Sequence, residues 1–132
     1  MSDHWSRRDR DRFDAILERV IAALPRRLLE LLDEAPLVVE DAPTDALLES
    51  LGLDPQVDDL CGLHSGASIM ERSVSHSGEL PERMEIFRRD ILDAAGGWDD
   101  AAIEEEIRIT ILHEIGHHFG LSEEDLERLG YG

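Results

Sequence analysis

The run Ile107-Arg108-Ile109-Thr110-Ile111-Leu112-His113-Glu114-Ile115-Gly116-His117-His118-Phe119-Gly120 decides how the whole sequence is read. Asp99 or Asp100 supplies an N-cap ahead of it, and Gly120 can take the left-handed conformation that ends a helix. Between those signals lies a helix of about five turns. Ile107, Ile109, Ile111, Leu112, Ile115 and Phe119 point in nearly every direction around it, so the helix is expected to run through the core. On that reading His113 and His117 sit under cover rather than on a wet surface.

The spacing His113-Glu114-Ile115-Gly116-His117 carries chemistry. A helix turns ~100° per residue, which leaves the two imidazoles ~40° apart on one face and one turn above each other. Both can reach one metal ion. Glu114 projects about a quarter-turn away, beside such an ion, where it can take a proton from water. This is the H-E-x-x-H arrangement of zinc hydrolases, with two His ligands and Glu as general base. Gly116 and Gly120 fall on the same side as the histidines, and a glycine inside a helix implies that backbone or substrate comes close. After Gly120 the chain turns back, and Glu123, Glu124 and Asp125 follow as candidates for a third ligand. Ser122 and Asp125 also read as a capping box, in which the acids serve a helix N-terminus instead. His118 points ~140° from His113 and reads as a packing residue or a support to the ligands rather than a ligand itself. His4, His64 and His76 are isolated and receive no role.

Working outward, residues 7–24 place Phe13, Ile16, Leu17, Val20, Ile21 and Leu24 at spacings of three and four, an amphipathic helix. Pro25 opens a second helix to about residue 34, with Leu28, Leu29, Leu31 and Leu32 on its buried side. Leu37 to Glu40 is a short strand, and Thr44 to Leu51 a brief helix stopped by Gly52. Leu60 to Gly66 reads as a strand with a bulge or a close backbone approach at glycine, and Ser73 to Pro81 as loop. Arg83 to Asp90 alternates Met84 and Ile86 against Arg83, Glu85 and Phe87, a half-exposed strand that offers a sheet edge to an extended peptide. Gly96-Gly97 closes a turn. No repeat or linker interrupts the pattern, so residues 1–132 are expected to form one α+β domain.

The composition limits partners. With 31 acidic residues against 13 basic ones, the formal net charge is −18, which argues against nucleic acid and anionic membranes. Every basic residue is Arg, and neither Lys nor Asn occurs. That bias fits a GC-rich coding sequence or an acidic surface adapted to salt. Cys61 is the single cysteine, so no disulfide scaffold is possible within the chain, and a cytoplasmic location is expected. No stretch approaches the ~20 apolar residues of a membrane span, and the N-terminus lacks the apolar run of a signal peptide.

The run Ile109 to Leu121, with the acids after it and Leu129-Gly130-Tyr131, resembles the small bacterial minimal zincin-like metallopeptidases. The similarity extends through Leu80 to Arg89, Val38 to Pro43 and the Leu60 to Gly66 segment. What the resemblance implies is a pared-down zincin fold, a small mixed sheet packed on N-terminal helices and a buried active-site helix. It also implies Zn2+ held by His113, His117 and Glu123, where the family carries Asp, with Glu114 as general base and a peptide or protein as substrate. No Met follows the motif, so a Met-turn is absent, and Met70 and Met84 read as core residues. Tyr131 and several Arg residues are candidates for stabilising an oxyanion. The alternative from another class is a zinc-binding interaction or regulatory module with little or no turnover, because the short chain leaves few residues to wall a cleft.

Overall fold

A computed structural model describes residues 5–65 and 83–128. The Ser73 to Pro81 loop, Met70, His4, His76 and Tyr131 lie outside the described residues. Helix α1, Arg7–Ala22, starts where Ser6 Oγ accepts from Asp9 N at 3.0 Å, and buries Phe13, Ile16, Leu17 and Val20. Pro25 then caps α2, Arg26–Glu34, whose Leu28 is fully buried while Leu29, Leu31 and Leu32 pack partly against the core. Strand β1 is Leu37–Glu40, and Thr44 caps the short α3, Asp45–Ser50, before Gly52 turns the chain at φ +79°. Strands β2, Gly62–Ser65, and β3, Arg83–Phe87, precede α4, Arg88–Ala95. Last come α5, Asp100–Phe119, and α6, Glu123–Arg128. The mixture of helices and one small sheet is the α+β architecture expected.

The sheet is three-stranded in the order β1-β3-β2, with β3 parallel to β1 and antiparallel to β2. The expected half-exposed strand over Arg83 to Asp90 is therefore corrected twice. Strand β3 ends at Phe87, and it is the central strand, so it offers no free edge to a peptide. Met84 and Ile86 face the core as the alternation implied, but Glu85 and Phe87 are buried too. Their face looks onto a cavity lined by Pro43, Leu47 and Leu63. The three residues read as the strand's continuation form the first turn of α4, which buries Ile91 and stops at Gly96 in the left-handed region, φ 87°.

Arg88 fixes that strand-to-helix corner. Its guanidinium is one-tenth exposed and donates twice to Asp14 of α1, at 3.1 and 3.0 Å, and once to Asp41 beyond β1, at 2.7 Å. Arg10 donates to Asp41 as well, at 3.0 Å, and these contacts hold its carboxyl below the usual range. Arg88→Ala is expected to destabilise the fold by about 2–3 kcal/mol, measured by denaturant unfolding. That is less than a fully buried pair loses, because both aspartates can rehydrate.

Helix α5 lies against α1, α2, α4, α6 and strands β2 and β3. Ile103, Ile107, Ile111 and Ile115 are wholly buried and share one core with Met84, Ile86, Phe13 and Leu28. Each such side chain stabilises the fold by ~1.5–3 kcal/mol relative to exposure. The helix carrying the His-Glu motif is thus packed on more elements than any other among the described residues. Among the described residues no helix is long and apolar enough to cross a membrane.

Candidate metal centre

Local chemistry sets both ends of the motif. Asp99 caps α5, its Oδ1 accepting from Ala102 N at 3.2 Å, and Gly120 ends it at φ 69°. Leu121 N then donates to Gly116 O at 2.8 Å, which turns the chain back along the last helical turn. A Cβ at Gly116 would stand 3.3 Å from Leu121 O and 3.5 Å from Leu126 Cδ1. The close approach expected at this glycine is therefore made by the chain's own reversing backbone. Ser122 starts α6 with a reciprocal capping box. Asp125 N donates to Ser122 Oγ at 3.1 Å, and Ser122 N donates to Asp125 Oδ2 at 2.9 Å.

That box distinguishes the three acids. Asp125 is engaged in it and also accepts from Arg128 at 3.2 Å, and the Ser122 contacts lower its carboxyl pKa. Glu124 lies 3.8 Å from Arg128. Glu123, exposed at the first position of α6, borders a pocket of about 230 Å³ together with His113, Gly116, His117, Leu121 and Leu126. Both histidines of the motif and one of the candidate acids thus open onto a single concavity. Among the described residues, no three His, Cys, Asp or Glu side chains stand close enough to hold an ion as they are.

His113 and His117 are exposed, contrary to the expectation that they lie under cover. The stripe holding His113, Gly116 and His117 faces α6, a helix of only six residues. Leu126 and Leu121 cover the glycine between the two rings and leave the rings themselves open. His118 behaves as read. It is buried and meets Phe119 edge-on at 4.5 Å between ring centroids.

Glu114 takes a different direction from its neighbours. It is only 5% exposed and does not border the histidine pocket. Its carboxylate packs beneath β2 at Gly62, where a Cβ would meet Glu114 Oε2 at 2.9 Å. Oε1 is buried with no hydrogen-bond partner among the described residues. Leaving such an atom unsatisfied costs about 1–3 kcal/mol. Burial also disfavours the charged form, and it pushes the Glu114 pKa up to about 7. The sequence offered a bulge or a close backbone approach at a glycine of the Leu60 to Gly66 segment, and at Gly62 the approach is made by the Thr110 and Glu114 side chains. It gave no sign of Arg88, whose partners are remote in the chain.

Two imidazole nitrogens and a carboxylate are donor types suited to zinc, and a carboxylate with an uncommitted buried oxygen is of the type that transfers protons. By donor type the residues lining this pocket suit zinc, although as they stand they do not form a ready-made ion site. No curated protein matches the sequence. The family model described as zincin-like metallopeptidase matches residues 32–132, from the end of α2 through the sheet, the His-Glu helix and α6. Helix α1 and the start of α2 lie outside the match, although α1 packs directly on α5. With most of its length and its entire candidate centre inside that match, this chain belongs to the zincin-like metallopeptidase family.

Proposed function

We infer that the protein is a zinc-dependent hydrolase of peptide bonds in which Glu114 acts as general base. One observation carries this reading. His113, His117 and Glu123 border one pocket, while Glu114, adjacent to His113, keeps a buried carboxylate oxygen without a partner among the described residues.

His113, His117 and Glu123 would hold the ion. Zinc bound there supplies a Lewis acid that polarises the scissile carbonyl and acidifies water. The chain's own residues do the rest. Glu114 would accept the proton of the attacking water and later deliver it to the leaving amine. In the metal-free chain burial raises the Glu114 pKa to about 7, which makes its carboxylate a stronger proton acceptor than a solvated one. Leu121 and Leu126 give the pocket an apolar wall beside the histidines.

The test is digestion of a mixed peptide library by zinc-loaded protein, with and without chelator. Cleavage that chelator removes and added zinc restores is expected. No cleavage of any peptide by fully loaded protein would overturn the reading.

A second reading is a zinc-binding interaction or regulatory module without turnover. It is favoured by the separation of Glu114 from the histidine pocket. Both readings call for zinc, so turnover and not metal content separates them. A net charge of −18 supports a peptide or protein partner over nucleic acid or an anionic membrane. Cys61 is half-buried, donates to Asp90 O at 3.5 Å, and has its thiol pushed up to about 12 by burial, which makes it a poor nucleophile.

A further inference from the structure

Gly62 opens β2 directly opposite Ile86, on the face of the sheet that α5 covers. A Cβ built there would stand 2.8 Å from Thr110 Cγ2, 2.9 Å from Glu114 Oε2 and 3.1 Å from Glu114 Cδ. Real side chains do not tolerate the shorter two of these separations, so something must yield. The strand is held where it enters the sheet, because Phe87 N donates to Cys61 O at 2.9 Å. Thr110 is held as well, since its hydroxyl donates to Glu106 O at 2.7 Å. Glu114 is the flexible member, and its Oε1 has no hydrogen bond among the described residues to resist displacement.

The geometry points to Gly62 as a positioning residue: the absent side chain at 62, with the Thr110 methyl, forms the slot that holds the Glu114 carboxylate in place. Gly62 touches no substrate and acts only through Glu114, so this inference rests on the reading of Glu114 as the base. The glycine is required by close approach and not by an unusual backbone conformation. An alanine there pushes the carboxylate out and also presses on the Thr110 methyl, which strains the contact between strand and helix.

The test compares wild type, Gly62→Ala, Thr110→Ser, Gly62→Ala/Thr110→Ser and Glu114→Gln, all full-length. The readouts are zinc content, Tm, kinetics on a peptide from the library digest, and the 13C resonance of the Glu114 carboxyl carbon in metal-free protein. That resonance is assigned by its absence from Glu114→Gln. For Gly62→Ala the expected result is retained zinc, a shifted Glu114 resonance, and kcat lowered about 10²-fold with KM within about twofold. The double variant, which removes the methyl and keeps the hydroxyl, should regain Tm while kcat stays low. A Gly62→Ala protein with an unmoved resonance and normal kcat would overturn the slot. So would full recovery of kcat in the double variant, which would reduce the effect to packing against Thr110. Should Gly62→Ala fail to fold, Thr110→Ser widens the same slot from the helix side. A shifted Glu114 resonance in it supports the slot, and an unmoved one overturns it. An active Glu114→Gln enzyme would instead overturn the base reading, an outcome separate from the behaviour of the resonance.

Discussion

Replacing Glu114 with Gln is expected to lower peptide hydrolysis by about 10²–10⁴-fold while the protein keeps its zinc. The amide has the size of the carboxylate it replaces and fits the space under Gly62, so the fold and the histidine pocket stay as they are. What it lacks is an oxygen able to take a proton. Zinc content measured alongside kcat separates this from metal loss, because Glu114 does not border the pocket of His113, His117 and Glu123. Unchanged turnover would remove Glu114 from the chemistry.

The same substitution has a pH-dependent effect on stability, and its sign follows from burial. The Glu114 pKa is raised from 4.5 to about 7 in the folded, metal-free chain. Below pH 4.5 both folded and unfolded chains hold the proton, and the stability contributed by the neutral buried acid is fully present. As pH rises through about 7 the folded chain must bury a charge, and that stability is lost. The gap corresponds to about 3 kcal/mol. Metal-free Glu114→Gln should therefore match wild type near pH 4 and exceed it by up to about 3 kcal/mol at pH 8, read by denaturant unfolding. A difference independent of pH would show that Glu114 is not desolvated as its burial implies. Glu114, the proposed base, is thus held in a position that weakens the fold at the pH where it would work, a trade often found between activity and stability.

How much of this was legible in the sequence depended on whether the deciding contact is local. Helix α1 announces itself through the apolar spacing over residues 7–24, α3 through its stop at Gly52, and α5 through Asp99 and Gly120, all of them signals between near neighbours in the chain. The capping box of Ser122 and Asp125 is equally local, and it formed as its spacing implied. Helix α4 was not legible. Continued as a strand, Arg88 and Asp90 fall on the face of Met84 and Ile86, and nothing local shows that Arg88 meets Asp14 and Asp41, 74 and 47 residues away in the chain. Burial of a charge is set by its partners, and those partners come together only in the fold. The exposure of His113 and His117 escaped for a related reason. An all-round apolar helix does imply burial, but the shortness of α6 leaves one stripe open. Local patterns located the candidate residues, and the packing of α6 and β2 decided which face each one sees.

His113→Ala and His117→Ala are each expected to weaken zinc binding by more than about 10²-fold, since loss of even an outer-shell partner costs 10–100-fold. Both rings are exposed and lie beside a pocket, so neither substitution should lower the Tm of the metal-free protein measurably. That combination separates a ligand from a core residue, whose truncation would lower Tm whether or not metal is present. The acids after Gly120 are then resolved by contrast. Glu123→Gln removes the one carboxylate of the three that borders the pocket, and it is expected to weaken zinc by about 10–100-fold with Tm unchanged. Asp125→Asn should do the reverse. It disturbs the cap on Ser122 and costs about 1 kcal/mol of stability, while zinc affinity stays within a few-fold. Titration of each metal-free variant with zinc, paired with thermal melts, reads both quantities. If Asp125→Asn loses zinc and Glu123→Gln does not, the ligand assignment moves to Asp125 and the capping box must open when the ion binds. If neither does, the two histidines bind without a carboxylate from α6. The Leu126 and Leu121 contacts with Gly116 then serve the fold alone.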